Sequence, residues 1–219
     1  MIYDFHTHTF FSDGINSPIE LIRCADSYGY SCIALTDHAS LSNIEQIIKN
    51  VTKDCELAKK YWDIIAIPGV ELTNVPAKSI GELARYAKEQ GARIVTVHGQ
   101  TLAEPVEPGT NKEAVSSIYV DMLAHPGIIT KEEAELAFKN NIFIELTHRS
   151  GHCLSNGHVA NISIKTGAKL LINSDAHSHL DLYRNERQIN IALGAGLTKK
   201  QADEIFKVNN NQFLKKLGY

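Results

Sequence analysis

The stretch CIALTDH, residues 32–38, shows the pattern on which the fold prediction rests. It is a short apolar run, Cys32–Leu35, that ends in Thr36-Asp37-His38 and leads into a helical pattern. Short, nearly uninterrupted apolar runs are typical of strands that a parallel sheet buries on both faces. We therefore predict six further strands of the same kind, at Met1–Phe5, Ile64–Pro68, Arg93–Val97, Tyr119–Leu123, Ile142–Leu146 and Lys169–Ile172.

Helical patterns separate the predicted strands. Ser17-Pro18-Ile19-Glu20 is a capping box with proline at the first helical position, and we expect the helix that it opens to end at Gly29. An apolar stripe at helical spacing runs from Ile44 to Trp62 and predicts a long helix. We predict further capping boxes at Ser79–Glu82, Thr130–Glu133 and Thr198–Gln201, a helix stop at Gly91, and helices over about 157–166, 186–193 and 198–217.

Strands that alternate with helices pair in parallel, which predicts an α/β fold. Seven strand–helix units fit either an open, doubly wound sheet or a barrel related to the TIM barrel. Since no linker-like or repetitive segment interrupts the chain, we predict one domain over residues 1–219, with helices from about 186 to 219 packed on it. The proline-containing stretch Gly99–Asn111 predicts a long loop, which is either one wall of a pocket or an inert connection.

Composition narrows the classes of function. The net charge of −3 predicts no broad basic surface for extended nucleic acid. No apolar run approaches the roughly 20 residues of a membrane span, and MIYDFHTHTF lacks the pattern of a secretory signal. The four cysteines form no C-x-x-C pair, which indicates reduced thiols. We therefore expect a cytoplasmic protein that acts on a small molecule.

Side chains that commonly bind metal ions stand where the predicted strands end. His6 and His8 are two residues apart at the end of the first strand and therefore point to the same face. Ligand-type residues follow six of the seven predicted strands, and the carboxyl ends of parallel strands share the face on which active sites form. We expect nine candidate ligands to converge there: His6, His8, Asp13, His38, Glu71, His98, His125, Asp175 and His177.

The mixture of imidazole and carboxylate suits Zn, Mn or Fe in the divalent state. Nine ligands exceed what one ion needs when positions stay open for a substrate, so the sequence predicts two or three ions with a bridging carboxylate. Clustered ions of this kind activate water and neutralise a developing oxyanion, which is the chemistry of phosphoester hydrolysis.

The blocks around these residues resemble those of a known superfamily, PHP (polymerase and histidinol phosphatase). The match spans about residues 1–180. The resemblance implies a distorted seven-stranded (β/α) barrel related to the TIM barrel, with a trinuclear metal site at its C-terminal face. It rests on His6-Thr7-His8, Asp13, Thr36-Asp37-His38, Gly69-Val70-Glu71, Ala124-His125-Pro126 and Ser174-Asp175-Ala176-His177.

The resemblance also implies a role for each candidate ligand. A first ion would be bound by His6, His8, Glu71 and Asp175, a second by Glu71, His98 and His125, and a third by Asp13, His38 and His177. The implied reaction is hydrolysis of a phosphoester by a hydroxide that bridges metal ions, without a protein nucleophile. We therefore expect Glu71, Asp175 and His177 to be catalytic as well as metal-binding.

Other polar residues near the predicted rim are candidates for contact with a substrate. Arg149 follows the sixth strand, where a guanidinium either holds a phosphate in a bidentate manner or is a solvated loop residue. We predict Arg149 as the candidate substrate-binding residue. Arg184 and Arg187 are weaker candidates. Four histidines near the rim receive no ligand role: His148, His152, His158 and His179.

The resulting prediction is a metal-dependent hydrolase of small phosphoesters, with a substrate like histidinol phosphate or a nucleotide. Two alternatives stay open, both of them implied by relatives within the superfamily. One is a non-catalytic subunit that binds or scaffolds a partner, and the other is a protein-tyrosine phosphatase. Retention of ligand-type residues at all nine positions favours catalysis over the first alternative, and pocket depth would separate the second.

Overall fold

The computed structural model describes residues 1–183 and 186–219. Its strands are β1 Ile2–Asp4, β2 Tyr30–Leu35, β3 His38–Ala39, β4 Ile65–Leu72, β5 Ile94–His98, β6 Met122–Ala124, β7 Phe143–Thr147 and β8 Leu170–Asn173. Its α-helices are α1 Pro18–Ser27, α2 Ile44–Tyr61, α3 Ile80–Glu89, α4 Thr110–Ser116, α5 Lys131–Lys139, α6 Asn156–Thr166, α7 Arg187–Gly194, α8 Lys199–Glu204 and α9 Asn210–Leu217. In the part of the chain that these ranges cover, no helix has both the length and the apolar character needed to cross a bilayer.

The strands form a nearly closed parallel barrel in the order β1-β2-β4-β5-β6-β7-β8. The short strand β3 continues the line of β2 and pairs with β4, with His38 opposite Glu71. Beyond the ends of β1 and β8, the backbone N–H of Asp175 donates to His6 at 3.0 Å, and that of His8 donates to Ala176 at 2.8 Å. These bonds bring the two edge strands together, so the predicted seven-stranded, TIM-like barrel is confirmed and the open sheet is wrong.

Apolar side chains from or next to seven strands fill the lower half of the barrel, the half away from the carboxyl ends of the strands. Phe5, directly after β1, and Phe143 on β7 each lie 4.8 Å, centroid to centroid, from the ring of Phe213 on α9. Leu214 and Leu217 of the same helix belong to this buried cluster. The C-terminal helix therefore closes the end of the barrel that lies opposite the carboxyl ends of the strands.

Most of the predicted helix signals are confirmed. Ser17, Thr130 and Thr198 each form a complete capping box. Gly29 and Gly91 follow helix ends in the left-handed conformation that glycine adopts without steric cost.

Three local predictions are wrong. Ser79 does not cap α3, because its hydroxyl donates to the carbonyl of Pro76 inside a 3₁₀ turn. The predicted loop over 99–111 ends earlier than expected, since α4 begins at Thr110. The predicted helix over 198–217 contains a π-helical turn, Ile205–Asn209, between α8 and α9.

Candidate metal centre

The nine predicted ligands all lie on the C-terminal face of the barrel. Their ligand-type atoms form four overlapping groups, and within each group the atoms lie within 4.8 Å of one another. The groups are His6 with His8 and Asp175, His6 with Glu71 and His125, His8 with Asp13, His38 and His177, and His98 with His125 and His152. Because the groups share members, the site is one continuous cluster.

Glu71 stands at the centre of this cluster, on β4. One carboxylate oxygen, Oε1, lies 3.3 Å from Nε2 of His6 and 3.7 Å from Nε2 of His125. The other, Oε2, lies 2.7 Å from Nδ1 of His38 and 3.7 Å from Nε2 of His8. Glu71 thus faces four histidines of the cluster, two with each carboxylate oxygen.

Asp175 lies beside this centre, just after β8. Its Oδ1 is 3.2 Å from Nε2 of His8 and 3.5 Å from Nδ1 of His177. The Nε2 atoms of His6 and His8 face each other at 3.0 Å. Two imidazole nitrogens and a carboxylate oxygen thus converge on one small volume.

The outermost group is gathered around Asp13, in the loop after β1. Oδ1 of Asp13 lies 3.1 Å from Nε2 of His177, 3.5 Å from Nε2 of His38 and 4.0 Å from Nδ1 of His8. The Asp13 side chain is 55% exposed, whereas His8 is buried. This group therefore opens to solvent.

A buried carboxylate from β7 orients two of the histidines. Oε1 of Glu145 accepts a hydrogen bond from Nδ1 of His6 at 2.7 Å, and Oε2 lies 3.0 Å from Nδ1 of His125. Asn173 donates to Oε1 at 3.0 Å and holds the carboxylate in place. With the Nδ1 protons held by Glu145, the Nε2 lone pairs of His6 and His125 face the cluster, as in carboxylate–histidine–metal arrangements.

Two residues of the cluster have unusual backbone conformations. Asp175 has φ of 54° and His125 has φ of 26°, in the left-handed region that is uncommon outside glycine. Backbone strain of this kind costs on the order of 1–3 kcal/mol and persists where surrounding contacts enforce it. Here the N–H of Asp175 donates to His6, and the N–H of His125 donates to Glu145.

Burial and close charges shift the pKa values of the cluster in opposite directions. Burial raises the pKa of Asp175 well above its ordinary value despite His6, and Glu71 and Glu145 add to the rise. Burial also opposes ionisation of Glu71, but His6 and His38 outweigh it and hold the pKa of Glu71 well below its usual range. Three buried carboxylates thus share the positive charge of the same histidines. Divalent cations bound among them would neutralise their negative charge directly.

Within the cluster, three buried ligand-type atoms have no hydrogen-bond partner among the described residues: Nδ1 of His8, Oε1 of Glu71 and Nε2 of His125. A buried polar atom without a partner costs about 1–3 kcal/mol, so three at one place call for a common explanation. A set of imidazole and carboxylate atoms facing a shared volume fits divalent Zn, Mn or Fe.

A small cavity of about 250 Å³ adjoins Asp175. Arg149 and Arg187 line it together with His148, Ser150, Ser174 and Asp181. The predicted substrate residue Arg149 is therefore next to the cluster, and Arg184 lies outside the described residues. A larger cavity of about 540 Å³, beside Trp62 and the beginning of β4, takes no part in the cluster.

The four histidines to which the sequence assigned no ligand role lie in different places. His158 lies outside the cluster and donates a hydrogen bond from Nε2 to the carbonyl of Ile129 at 2.8 Å, and His179 contacts Asn16. His148 lines the small cavity. His152 lies in the cluster itself, its ring centroid 4.2 Å from that of His125.

Sequence reasoning missed Glu145 and His152 as members of the site. Glu145 had a usable signal, since it is a charged residue inside the apolar run Ile142–Leu146, where a buried strand was predicted. His152 had none, because it lies five residues beyond the end of β7 in a 3₁₀ turn whose position depends on packing.

Comparison with known proteins agrees with this geometry. An uncharacterized protein of Methanocaldococcus jannaschii is 50% identical, over 99% of this chain and 100% of its own length. Ribonuclease P protein component 3 of Methanosarcina barkeri is 28% identical, over 94% of this chain and 85% of its own.

Among solved structures, a histidinol phosphate phosphatase from Lactococcus lactis, complexed with zinc, L-histidinol and phosphate, superposes with a TM-score of 0.61. It is 14% identical and the match covers 90% of this chain and 94% of that one, which shows a shared fold. The sequence itself matches the PHP domain over residues 4–214. The chain therefore belongs to the PHP domain family.

Proposed function

We propose that this protein is a metal-dependent phosphatase that hydrolyses small phosphoesters. The observation that carries the proposal is one continuous cluster that contains all nine predicted ligands, with buried ligand atoms that lack hydrogen-bond partners among the described residues, beside a cavity lined by arginine. Divalent ions bound in such a cluster supply Lewis acidity and an activated water.

The contacts support a division of the ligands among two or three ions of Zn, Mn or Fe. Within each proposed set the residues are linked by close contacts, and His125 links His98 to Glu71 in the second set. The sets are His6, His8, Glu71 and Asp175 for one ion, Glu71, His98 and His125 for a second, and Asp13, His38 and His177 for a third.

Glu71, Asp175 and His177 are the proposed catalytic residues. Glu71 faces four histidines of the cluster and would bridge the first two ligand sets. Asp175 lies both in the cluster and on the wall of the small cavity, so it would border the phosphorus of an ester bound there as well as the ligands. His177 lies against Asp13 at the solvent-facing edge, where a leaving group would depart.

Arg149 is the proposed phosphate-binding residue. It lines the cavity that Asp175 borders and, among the described residues, has no carboxylate partner at ion-pair distance. A guanidinium binds two phosphate oxygens in a planar, bidentate arrangement. The limited volume favours a small substrate, such as a phosphorylated amino alcohol or a nucleotide, over a long nucleic acid strand.

The main alternative is a binding subunit without catalysis. The similarity to a ribonuclease P protein component supports this alternative at the level of the whole chain. The complete ligand set favours catalysis, since a scaffold has no need for nine converging metal-ligand side chains. A protein-tyrosine phosphatase is the other alternative and requires that a phosphotyrosine side chain reach the cluster.

A cytoplasmic location is part of the proposal.

The test is phosphate release from a panel of phosphoesters with added Mn or Zn. The panel contains histidinol phosphate, nucleoside monophosphates, a cyclic phosphate and a phosphotyrosine peptide. We expect metal-dependent release from a small phosphomonoester, its loss in Asp175→Asn, and its retention in Glu132→Gln, a matched carboxyl-to-amide change at an exposed position of α5. Absence of release from every ester by metal-loaded protein would refute the proposal.

A further inference from the structure

A third histidine joins the pair His98 and His125 on the side of the cluster away from Asp13. Ligand-type nitrogens of His98, His125 and His152 all lie within 4.8 Å of one another, and all three side chains are buried. The resemblance to the PHP superfamily implies only the first two as ligands. His152 comes from a 3₁₀ turn after β7, so its presence in the group depends on the local packing of this chain.

The ring of His152 is held in the orientation that a metal ligand requires. Its Nδ1 lies 2.6 Å from the hydroxyl oxygen of Thr101, a buried partner that can accept the Nδ1 proton. In that tautomer the Nε2 atom carries the lone pair, and it faces a carboxylate oxygen of Glu104 at 3.5 Å. A fixed tautomer with a free Nε2 is the usual arrangement of a histidine that binds metal.

Glu104 reaches the same place from the loop after β5. One of its oxygens lies 3.3 Å from Nε2 of His98 and the other lies 3.5 Å from Nε2 of His152. The carboxylate therefore lies between two imidazole nitrogens, while the side chain remains 47% exposed. Since Nδ1 of His98 faces the carbonyl of Gly99, its Nε2 also carries a lone pair toward Glu104. A cation placed among these three groups would meet a lone pair from each of them.

Close packing sets the path of this loop. A side-chain carbon on Gly99 would lie 2.3 Å from the carbonyl oxygen of Ala124, and one on Gly151 would lie 2.9 Å from the side chain of Ala103. Asn111 ties the base of the loop by accepting from the N–H of Gln100 and donating to the carbonyl of Pro126. The segment that carries Glu104 is thus packed against the turn that carries His152.

We propose that His152 and Glu104 are additional ligands of the metal position formed by His98 and His125. This inference rests on the proposed metal-dependent function and adds two ligands that the resemblance does not imply. An imidazole-rich set of this kind favours a transition ion such as Zn²⁺ over Mg²⁺ or Ca²⁺. It makes this position the tightest of the cluster, whereas the position at the exposed Asp13 exchanges more readily.

The experiment measures bound metal rather than activity. Wild type, His152→Gln, Glu104→Gln and the matched control His158→Gln are stripped, titrated with Zn²⁺ against a chromophoric chelator, and analysed for metal content after gel filtration. We expect His152→Gln to lower the affinity of the tightest ion about 10–100-fold, Glu104→Gln to lower it less, and His158→Gln to leave it unchanged. Equal affinities of His152→Gln and His158→Gln would overturn the inference.

Two further measurements keep the result interpretable. Circular dichroism and the thermal midpoint of each stripped variant show whether it is folded, and anomalous diffraction from zinc-loaded wild type locates the ions directly. A zinc peak within bonding distance of Nε2 of His152 supports the inference, and a zinc peak at His98 and His125 that leaves His152 unbonded overturns it.

The inference and the proposed function fail separately. Loaded wild type that releases no phosphate, while His152→Gln still loses its tightest ion, refutes the function and leaves the added ligands standing. The converse result is that wild type releases phosphate in a metal-dependent manner while His152→Gln binds zinc as tightly as His158→Gln. That result refutes the added ligands and leaves the proposed function standing.

Discussion

The carboxylate of Glu145 accepts a hydrogen bond from Nδ1 of His6 at 2.7 Å, with both side chains fully buried. Its second oxygen lies 3.0 Å from Nδ1 of His125, so one carboxylate fixes two candidate ligands on different strands. The geometry of the metal centre thus depends on a residue that is not itself among the proposed ligands.

Replacing Glu145 should weaken metal binding while the fold is retained. In Glu145→Gln, an amide nitrogen meets one of the two histidine N–H groups, so the ring of His6 or His125 loses its orienting acceptor. We expect about a 10–100-fold loss of Zn²⁺ affinity, measured by chelator competition. The control is Glu132→Gln on the surface of α5, and equal affinity of the two variants would show that Glu145 does not orient the ligands.

Replacing Arg149 should weaken the binding of substrate more than the chemistry. A hydrogen bond to a charged group contributes about 1.5–3 kcal/mol, so Arg149→Met should raise KM about 10–100-fold, with a smaller change for Arg149→Lys. Steady-state kinetics on the best ester of the panel measure both constants. The matched control Arg85→Met removes an exposed ion pair with Glu89. A KM equal to that of the control would show that Arg149 is a solvated loop residue.

Removing metal should destabilise the protein. Glu71, Glu145 and Asp175 lie buried near one another, and ions that bind only the folded state add about 4 kcal/mol at a concentration a thousand times their Kd. For a chain of this length we expect chelation to lower the thermal midpoint by about 10 °C, with recovery on adding Zn²⁺. Calorimetry compares the thermal midpoint of protein treated with chelator with that of protein treated with chelator already saturated with zinc. An unchanged midpoint in protein proven free of metal would contradict the proposed ligand sets.

Alkaline pH should destabilise the fold through buried thiols. Burial raises the pKa of Cys55 and of Cys32 above the ordinary value for a thiol. The unfolded chain releases these protons near pH 8.5, whereas the folded chain keeps them, so the folded state binds more protons and stability falls as pH rises above about 8.5. The thermal midpoint of Cys55→Ala should fall less steeply with pH than that of wild type. Parallel curves would show that the Cys55 thiol does not contribute.

The closing helix should be essential to stability. Phe213 fills the lower barrel between Phe5 and Phe143 and is fully buried. We expect Phe213→Ala to cost about 3–5 kcal/mol of unfolding free energy, measured by urea denaturation. The matched substitution Phe138→Ala, at a ring that is 53% exposed on α5, should cost much less. Similar losses in the two variants would mean that α9 does not close the barrel.

The sequence by itself determined the strand–helix alternation and the side of the sheet on which chemistry occurs. Apolar runs such as Cys32–Leu35 are too short for buried helices and too continuous for half-exposed strands, so they identify buried parallel strands. Once strands are parallel, residues such as His38 and Asp175 must share one face, because carboxyl ends of parallel strands do. The nine ligand candidates followed from that constraint together with the resemblance.

Only the tertiary structure decided how these residues combine. Barrel closure depends on bonds between segments far apart in the chain, such as the N–H of Asp175 with His6, which no local pattern encodes. Glu145 meets His6 and His125 because β7 carries it inward, and His152 meets His98 because a loop and a turn pack together. Local periodicity specifies which face a residue occupies, whereas contact across the barrel is set by the packing of the whole chain.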